Sequence, residues 1–180
     1  MKITIVDGSS DNYTNKDYLV DLAESLIDAG HHVRLFKADK MKINYCIGCW
    51  SCWWKTPGEC SQKDDMPEVY SSYIDSDLVI HFSPILAGFI SSRLKTVNDR
   101  SIALVHPYIT LVNKECHHIK RYEKYPGLAL IVDPMNSDEE DLAITKDLYQ
   151  RMAINLKTEL KFFETTNKNK EELIHEISHI

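Results

Sequence analysis

The stretch Lys2-Ile3-Thr4-Ile5-Val6-Asp7-Gly8-Ser9-Ser10 decides how the rest of the chain is read. Its first six residues are a short apolar run rich in β-branched side chains, which predicts a strand ending at Asp7-Gly8. The polar loop Gly8-Ser9-Ser10-Asp11-Asn12-Tyr13-Thr14-Asn15 follows and offers several helix caps. Leu19, Leu22, Ala23, Leu26 and Ile27 then recur at helical spacing until Gly30 marks a helix end.

The same alternation continues along the chain. Residues 32–36 and 78–82 read as strands, the second closed by Ser83-Pro84, with helices over about 66–73 and 90–99. Residues 128–132 read as a strand, Ser137 and Glu140 form a capping box for a helix to about 156, residues 160–163 form a last strand, and Leu173, Ile174 and Ile177 stripe a final helix. Five strands alternating with helices predict an α/β fold, a five-stranded parallel sheet with helices on both faces, in one domain over 1–180. Residues 101–126 break the alternation and form an inserted arm, too long for a simple connection, which marks them as functional or as an interface.

The chain has 180 residues, 43% of them hydrophobic and 27% charged, with a formal net charge of −6. That length supports a core without disulfides, and the negative balance argues against nucleic acid and anionic membrane as partners. No apolar run approaches the ~20 residues of a membrane span. The start of the chain runs directly into a strand pattern without signal-peptide architecture, so the expected location is the cytoplasm.

A strand leading through Gly8 into a helix start is a geometry suited to phosphate: Gly8 permits a tight turn, Ser9 and Thr14 supply hydroxyls, and free N–H groups at the helix start face an anion. A capped helix without ligand accounts for the same residues. The Gly-x-Gly-x-x-Gly pattern of dinucleotide folds is absent. Cys46, Cys49, Cys52 and Cys60 are crowded into fifteen residues, and in a cytosolic chain such crowding points to metal, cluster or redox chemistry. Four thiolates at this spacing suit one tetrahedral metal or one cubane cluster, while reduced cysteines shaping a loop, or structural zinc, remain open readings. Trp50, Trp53 and Trp54 interleave them as packing or dimer-contact residues. No Ser/His/Asp or paired-carboxylate constellation is visible, so no catalytic side chain is assigned.

Three segments resemble the NADPH-dependent FMN reductase and iron–sulfur flavoprotein group of the flavodoxin-like superfamily. The loop Gly8–Asn15 resembles the group's phosphate loop, with Ser9 and Asn15 matching and Asp11 standing where the group usually has Arg. Ser83-Pro84-Ile85-Leu86-Ala87-Gly88-Phe89 resembles its Ser-Pro-aliphatic-aromatic-x-Gly segment, with Leu86 in place of the aromatic residue, and Leu94-Lys95 with Asp99-Arg100 matches the following helix. Cys-x-x-Cys-x-x-Cys with Cys60 is similar to the compact cysteine motif.

The resemblance implies FMN held by Ser9, Asp11, Thr14 and Asn15 at the phosphate and by Pro84, Ile85, Leu86, Ala87, Gly88 and Phe89 at the ring. NAD(P)H is the implied electron donor, and a flavin, a quinone or another small molecule the acceptor. The flavin carries the chemistry. It also implies a [4Fe–4S] cluster on Cys46, Cys49, Cys52 and Cys60 if the protein is an electron carrier. A flavodoxin-like protein that has lost its cofactor is the third reading. A homodimer or tetramer is expected, because Ile109, Leu111, Tyr122 and Tyr125 of the arm need cover. His117 and His118 should point to opposite sides of a strand, Cys116 reads as a small buried residue, and His31, His32, His175 and His179 read as surface residues without partners.

Overall fold

A computed structural model of the chain describes residues 1–10, 13, 17–112 and 114–180. Along it run β1 (Lys2–Asp7), α1 (Tyr18–Asp28), β2 (His32–Lys37), the single turn α2 (Ser51–Trp54), α3 (Met66–Asp75), β3 (Leu78–Leu86) and β4 (Phe89–Ile90). There follow α4 (Ser92–Arg100), a 3-10 turn (Ser101–Leu104), β5 (Val105–Val112), β6 (Glu115–Lys120), β7 (Gly127–Asp133), α5 (Glu139–Asn155), β8 (Leu160–Thr165) and α6 (Lys170–Ser178).

The five expected parallel strands are present, in the spatial order β2-β1-β3-β7-β8. This is the flavodoxin-like order, in which the chain passes from β1 to β2 on one side, then reverses to β3 on the other side of β1 and grows outward through β7 and β8, so the switch point lies between β1 and β3. Alternate residues of a strand serve opposite faces. Ile3, Ile5, Leu78, Ile80 and Phe82 enter one core with α1 and α6, while Val6, Val79, Leu128, Leu130 and Val132 enter the other with α3, α4 and α5. Cover on both faces is why these strands are continuous apolar runs rather than alternating ones.

Three boundaries differ from expectation. Strand β3 does not stop at Ser83-Pro84 but continues to Leu86, because β4 returns beside it with Ile85 opposite Ile90 and Leu86 opposite Phe89. The following helix starts at Ser92 rather than near 90, since Ser91 is needed as its cap and accepts the Leu94 N–H at 3.2 Å. Asp138, not Ser137, caps α5, accepting the Asp141 N–H at 3.0 Å, and a carboxylate there also meets the positive end of the helix. The arm at 101–126 stays out of the main sheet as expected: β5 and β6 form their own antiparallel pair. Tyr122 and Tyr125, expected to require a partner subunit, pack instead against this chain's own core, with the Tyr125 hydroxyl donating to the Leu104 carbonyl.

The segment between β2 and α3, which carries the clustered cysteines, has only one helical turn of its own and is fixed at its base. The Lys42 N–H donates to Asp65 Oδ2 at 2.7 Å, the Asp65 N–H to the Lys42 carbonyl at 3.0 Å, and the Asn44 N–H to Asp64 Oδ2 at 3.0 Å. Arg100, from the end of α4, donates to the Asn44 carbonyl at 2.7 Å and to the two Asp64 oxygens at 2.7 and 3.1 Å. The Arg100 and Asp64 side chains are 1% and 0% exposed, so this is a buried ion pair, hydrogen-bonded through both terminal guanidinium nitrogens while the Arg100 Nε has no partner among the described residues. Burial alone would push the Asp64 carboxyl up, but hydrogen bonds from Arg100 and from the Asn44 and Met66 N–H groups outweigh it and hold the group down at about 2.

Two predictions follow from this packing. A Cβ on Gly8 would stand 2.5 Å from Leu94 Cβ, 2.9 Å from Ser91 Oγ and 3.0 Å from the Phe82 carbonyl oxygen. Gly8→Ala should therefore lower the urea midpoint, by about 1–3 kcal/mol of stability, with an unchanged slope. Arg100→Met should cost about 3–5 kcal/mol at neutral pH by stranding Asp64. In the wild type the contribution of Asp64 is complete above its ordinary value of 3.8 and is lost as pH falls toward about 2. In Arg100→Met the dependence reverses, because protonation relieves a stranded carboxylate, so the two proteins should converge in stability as pH falls through 3.8 toward about 2 on this titration. A gap independent of pH in denaturation curves would refute the assignment.

Candidate functional site

Open parallel sheets bind ligands beyond the carboxyl ends of their strands, where the strand order reverses. Here that edge is formed by the ends of β1, β3 and β7. Asp7 closes β1 with its carboxylate buried, and its Oδ1 accepts the Ser9 N–H at 2.8 Å. Burial pushes the Asp7 carboxyl up, against the lowering effect of the hydrogen bonding with Ser9. Asp133 closes β7 and accepts the Tyr13 hydroxyl through Oδ2 and the Met135 N–H through Oδ1, the latter at 2.9 Å. The Tyr13 ring packs on Phe82, centroid to centroid 5.8 Å. Burial, and then the neighbouring Asp133, push the Tyr13 phenol up and keep it a donor.

The first and third strands are locked together at this edge. The Gly8 N–H donates to the Phe82 carbonyl at 2.9 Å, Ser91 Oγ donates to the Gly8 carbonyl at 2.6 Å, and the Ser91 N–H donates to Ser83 Oγ at 2.8 Å. Gly8 is thus required for close approach to α4.

Of the expected phosphate residues, Ser9 is buried at this edge, while Asp11, Thr14 and Asn15 lie outside the described residues. Of the expected ring residues, Pro84, Ile85 and Leu86 belong to β3 and Phe89 to β4, so the segment is a tight hairpin rather than an open loop. Ala87 (φ 52°) and Gly88 (φ 78°) make its two-residue turn in the left-handed conformation such hairpins require. A Cβ on Gly88 would stand 2.8 Å from Asp141 Oδ1, so the turn lies against the start of α5. Pro84 and Ile85 are buried, whereas Leu86 is 51% exposed.

Met135, 48% exposed, stands two residues beyond Asp133 just as Leu86 stands two beyond Pro84, the register partner of Asp133. Two exposed apolar side chains, Leu86 at the end of β3 and Met135 in the turn just beyond β7, lie at this edge. This suits a planar, largely apolar ring with a polar rim such as that of FMN. Asp7, Tyr13, Asp133 and Met135 escaped the sequence reading. The signal available for the last two was that Asp133-Pro134-Met135 ends a buried strand at the same edge.

The four clustered cysteines open onto a second space, a cavity of about 730 Å³ between their own segment, α4, α5 and the base of the arm. Trp53 forms part of its wall and donates its indole N–H to the Ile102 and Val105 carbonyls, each at 3.1 Å. Phe89, Leu148, Tyr149 and Met152 add further apolar wall. Cys46 and Cys49 are exposed, Cys52 and Cys60 partly so, and all are free thiols. Hydrogen bonds from Ser51 and Ser61 bring the Cys49 thiol down to about 7. Burial, and then the neighbouring Cys60, Cys46 and Cys49, push Cys52 up. Among the described residues no group of three or more His, Cys, Asp or Glu side chains is gathered to hold a metal ion. The donors share one chamber without forming a closed ligand set.

The remaining expectations divide. His117 and His118 do point apart: His117 is buried between Asn155 and Glu115, at 2.9 and 3.2 Å, and His118 packs on Trp53 at 5.0 Å. Cys116 is exposed rather than buried, because the distal part of the arm stands clear of the core. His31 is not partnerless: it meets the N-terminal amine at 3.3 Å and Ser178 Oγ at 3.0 Å. His175 and His179, one helical turn apart, stack at 4.2 Å.

The family described as NADPH-dependent FMN reductase matches residues 1–122. An iron-sulfur flavoprotein of Archaeoglobus fulgidus is 36% identical over 107 residues, which is 59% of this chain and 48% of that one. An iron-sulfur flavoprotein of Methanocaldococcus jannaschii is 41% identical over 80 residues, 44% of this chain and 40% of that one. The chain thus spans about half the length of the curated relatives it matches. Among solved structures, a putative quinone reductase from Klebsiella pneumoniae superposes with a TM-score of 0.69 at 14% identity, covering 99% of this chain and 83% of that one. A flavone reductase superposes at 0.62 and 14% identity, covering 100% of this chain and 60% of that one, and both likenesses speak to the fold alone. With the matched region running from β1 through the arm, the chain belongs to the NADPH-dependent FMN reductase family.

Proposed function

We propose that the protein binds FMN at the carboxyl edge of β1, β3 and β7. In this reading it acts as an NAD(P)H-dependent oxidoreductase that reduces a flavin, a quinone or another small acceptor. One observation carries the reading: Ser9, the Ala87-Gly88 turn, Leu86 and Met135 all lie at the edge where the strand order reverses, and membership of the family supports the same ligand. Bound there, FMN would supply the hydride-accepting chemistry that no side chain of the edge can perform. The chain's own contribution is positional. Leu86 and Met135 exclude water from a ring, the turn's backbone offers polar groups to its rim, and Asp133 holds Tyr13 against Phe82 as a fixed wall.

Titration of the purified protein with FMN, followed by flavin fluorescence, tests the reading. Saturable binding at one FMN per chain is expected. Leu86→Glu should weaken it about tenfold, equal to about 1.4 kcal/mol, without loss of folding, because Leu86 is half exposed. Absence of binding at high micromolar FMN would favour the reading in which the fold has lost its cofactor.

A second reading, an electron carrier that pairs FMN with a [4Fe–4S] cluster, is favoured by the four thiols that open onto one cavity and by the likeness to chains named as iron-sulfur flavoproteins. Cys46, Cys49, Cys52 and Cys60 would be its ligands, and the segment between them would have to draw its thiols together. Anaerobic reconstitution with iron and sulfide should then give about four irons per chain, lost in Cys49→Ser. Less than about one iron per chain, with the thiols still titratable, would leave a flavoprotein whose cysteines only line a cavity.

A further inference from the structure

Asp133 brings a negative charge to the edge that the flavin would occupy. It closes β7 as the register partner of Pro84, the first residue of the expected ring segment, and neighbouring strands lie about 4.8 Å apart. Its carboxylate is held from two sides: Oδ2 accepts the Tyr13 hydroxyl, and Oδ1 accepts the Met135 N–H at 2.9 Å. Tyr13 is itself fixed, by its ring on Phe82 and by its N–H, which donates to the Ser10 carbonyl at 2.8 Å. Both partners of Asp133 are neutral donors, so they orient the charge without cancelling it. Among the described residues no lysine or arginine pairs with it.

The other carboxylates at this edge are weaker sources of charge. Asp7 ends β1, where burial pushes its carboxyl up toward the neutral form. Asp141 lies against the hairpin turn, 2.8 Å from where a Cβ on Gly88 would stand, but it belongs to the first turn of α5, whose positive end offsets it. Asp133 stands at a strand end, and strands carry only a small net dipole.

A ring seated between the exposed Leu86 and Met135 excludes water, so charges beside it are felt more strongly than in solution. Flavin reduction takes up two electrons and, at neutral pH, one proton, so the ring passes from neutral to anionic. A fixed like charge beside it disfavours the anion.

We propose, resting on the FMN reading above, that Asp133 makes the site discriminate between redox states and bind oxidised FMN more tightly than reduced FMN. By linkage the bound flavin has a lower potential than free FMN, and the reduced form is the one released more readily. A tenfold difference in affinity corresponds to ~30 mV for a two-electron couple. Asp133 acts through its charge, and Tyr13 is the positioning residue that holds it.

Anaerobic FMN binding before and after chemical reduction, with potentiometric titration of the complex against free FMN, tests this. In the wild type, reduced FMN should bind about tenfold more weakly than oxidised FMN, with a midpoint ~30 mV below that of free FMN. Asp133→Asn should bring the affinity ratio toward one and raise the midpoint. Tyr13→Phe removes the same hydrogen bond but keeps the charge, so its midpoint should stay low. Asp133→Ser replaces Asp133→Asn if circular dichroism shows that variant to be unfolded. Equal affinities for the two redox states in the wild type would overturn the proposal, as would an unshifted midpoint in Asp133→Asn. Midpoints raised alike in Asp133→Asn and Tyr13→Phe would overturn it too, since a packing role moves both. Failure of the wild type to bind oxidised FMN would instead overturn the FMN reading itself, and the proposal with it.

Discussion

Strand β3 is the constraint from which the rest of this molecule follows. Its residues Leu78–Pro84 are buried on both faces and must pair in parallel with β1 on one side and β7 on the other. Parallel pairing forbids tight connections, so a helix has to carry the chain back between strands, and every carboxyl end is delivered to the same edge. The hydrogen bonds among Gly8, Phe82, Ser83 and Ser91 then fix the first and third strand ends against each other within a few ångströms. Whatever binds at this edge meets a surface whose backbone is already set.

The second space has a different physical basis. The cysteine segment has little regular structure to stabilise it, and the buried Arg100–Asp64 pair anchors its base to α4. Such a pair adds little net stability over an apolar alternative, yet breaking it is costly, and its directional hydrogen bonds suit holding a segment in one place. Between this anchor and the Trp53 indole bonded to the 3-10 turn, four thiols are kept along one wall of a cavity whose other walls come from α4 and α5. The chain therefore separates two chemistries: an apolar shelf at the strand ends and a soft-donor chamber beside it, with Phe89 of the hairpin adjoining both.

Buried polar groups behind the cavity wall add to the packing. His81, on the central strand between Tyr73 and Tyr149, is driven by burial down to about 3 and stays neutral throughout the physiological range. Its Nδ1 lies 3.3 Å from the Tyr149 hydroxyl, which also accepts from Asn98 Nδ2 at 3.0 Å, linking β3, α4 and α5. These contacts add direction to a core that is otherwise held by non-directional apolar burial.

The order of strands and helices was legible in the sequence because hydrophobic period is a local property: β-branched runs, a 3.6-residue stripe and a glycine stop can be read from a few neighbours. The likeness of Gly8–Asn15, Ser83–Phe89 and the cysteines to a known group was local in the same way. What the sequence could not contain is which distant groups meet. Tyr13 and Asp133, 120 residues apart, become partners only because β1 and β7 flank β3. Ser83-Pro84 reads as a turn until β4 supplies the pairing that keeps it in a strand, and Cys116 reads as a core residue until the ribbon is seen to leave the core. Pattern specifies each element from within, whereas burial and hydrogen bonding across elements depend on strand order and register, which the tertiary structure alone decides.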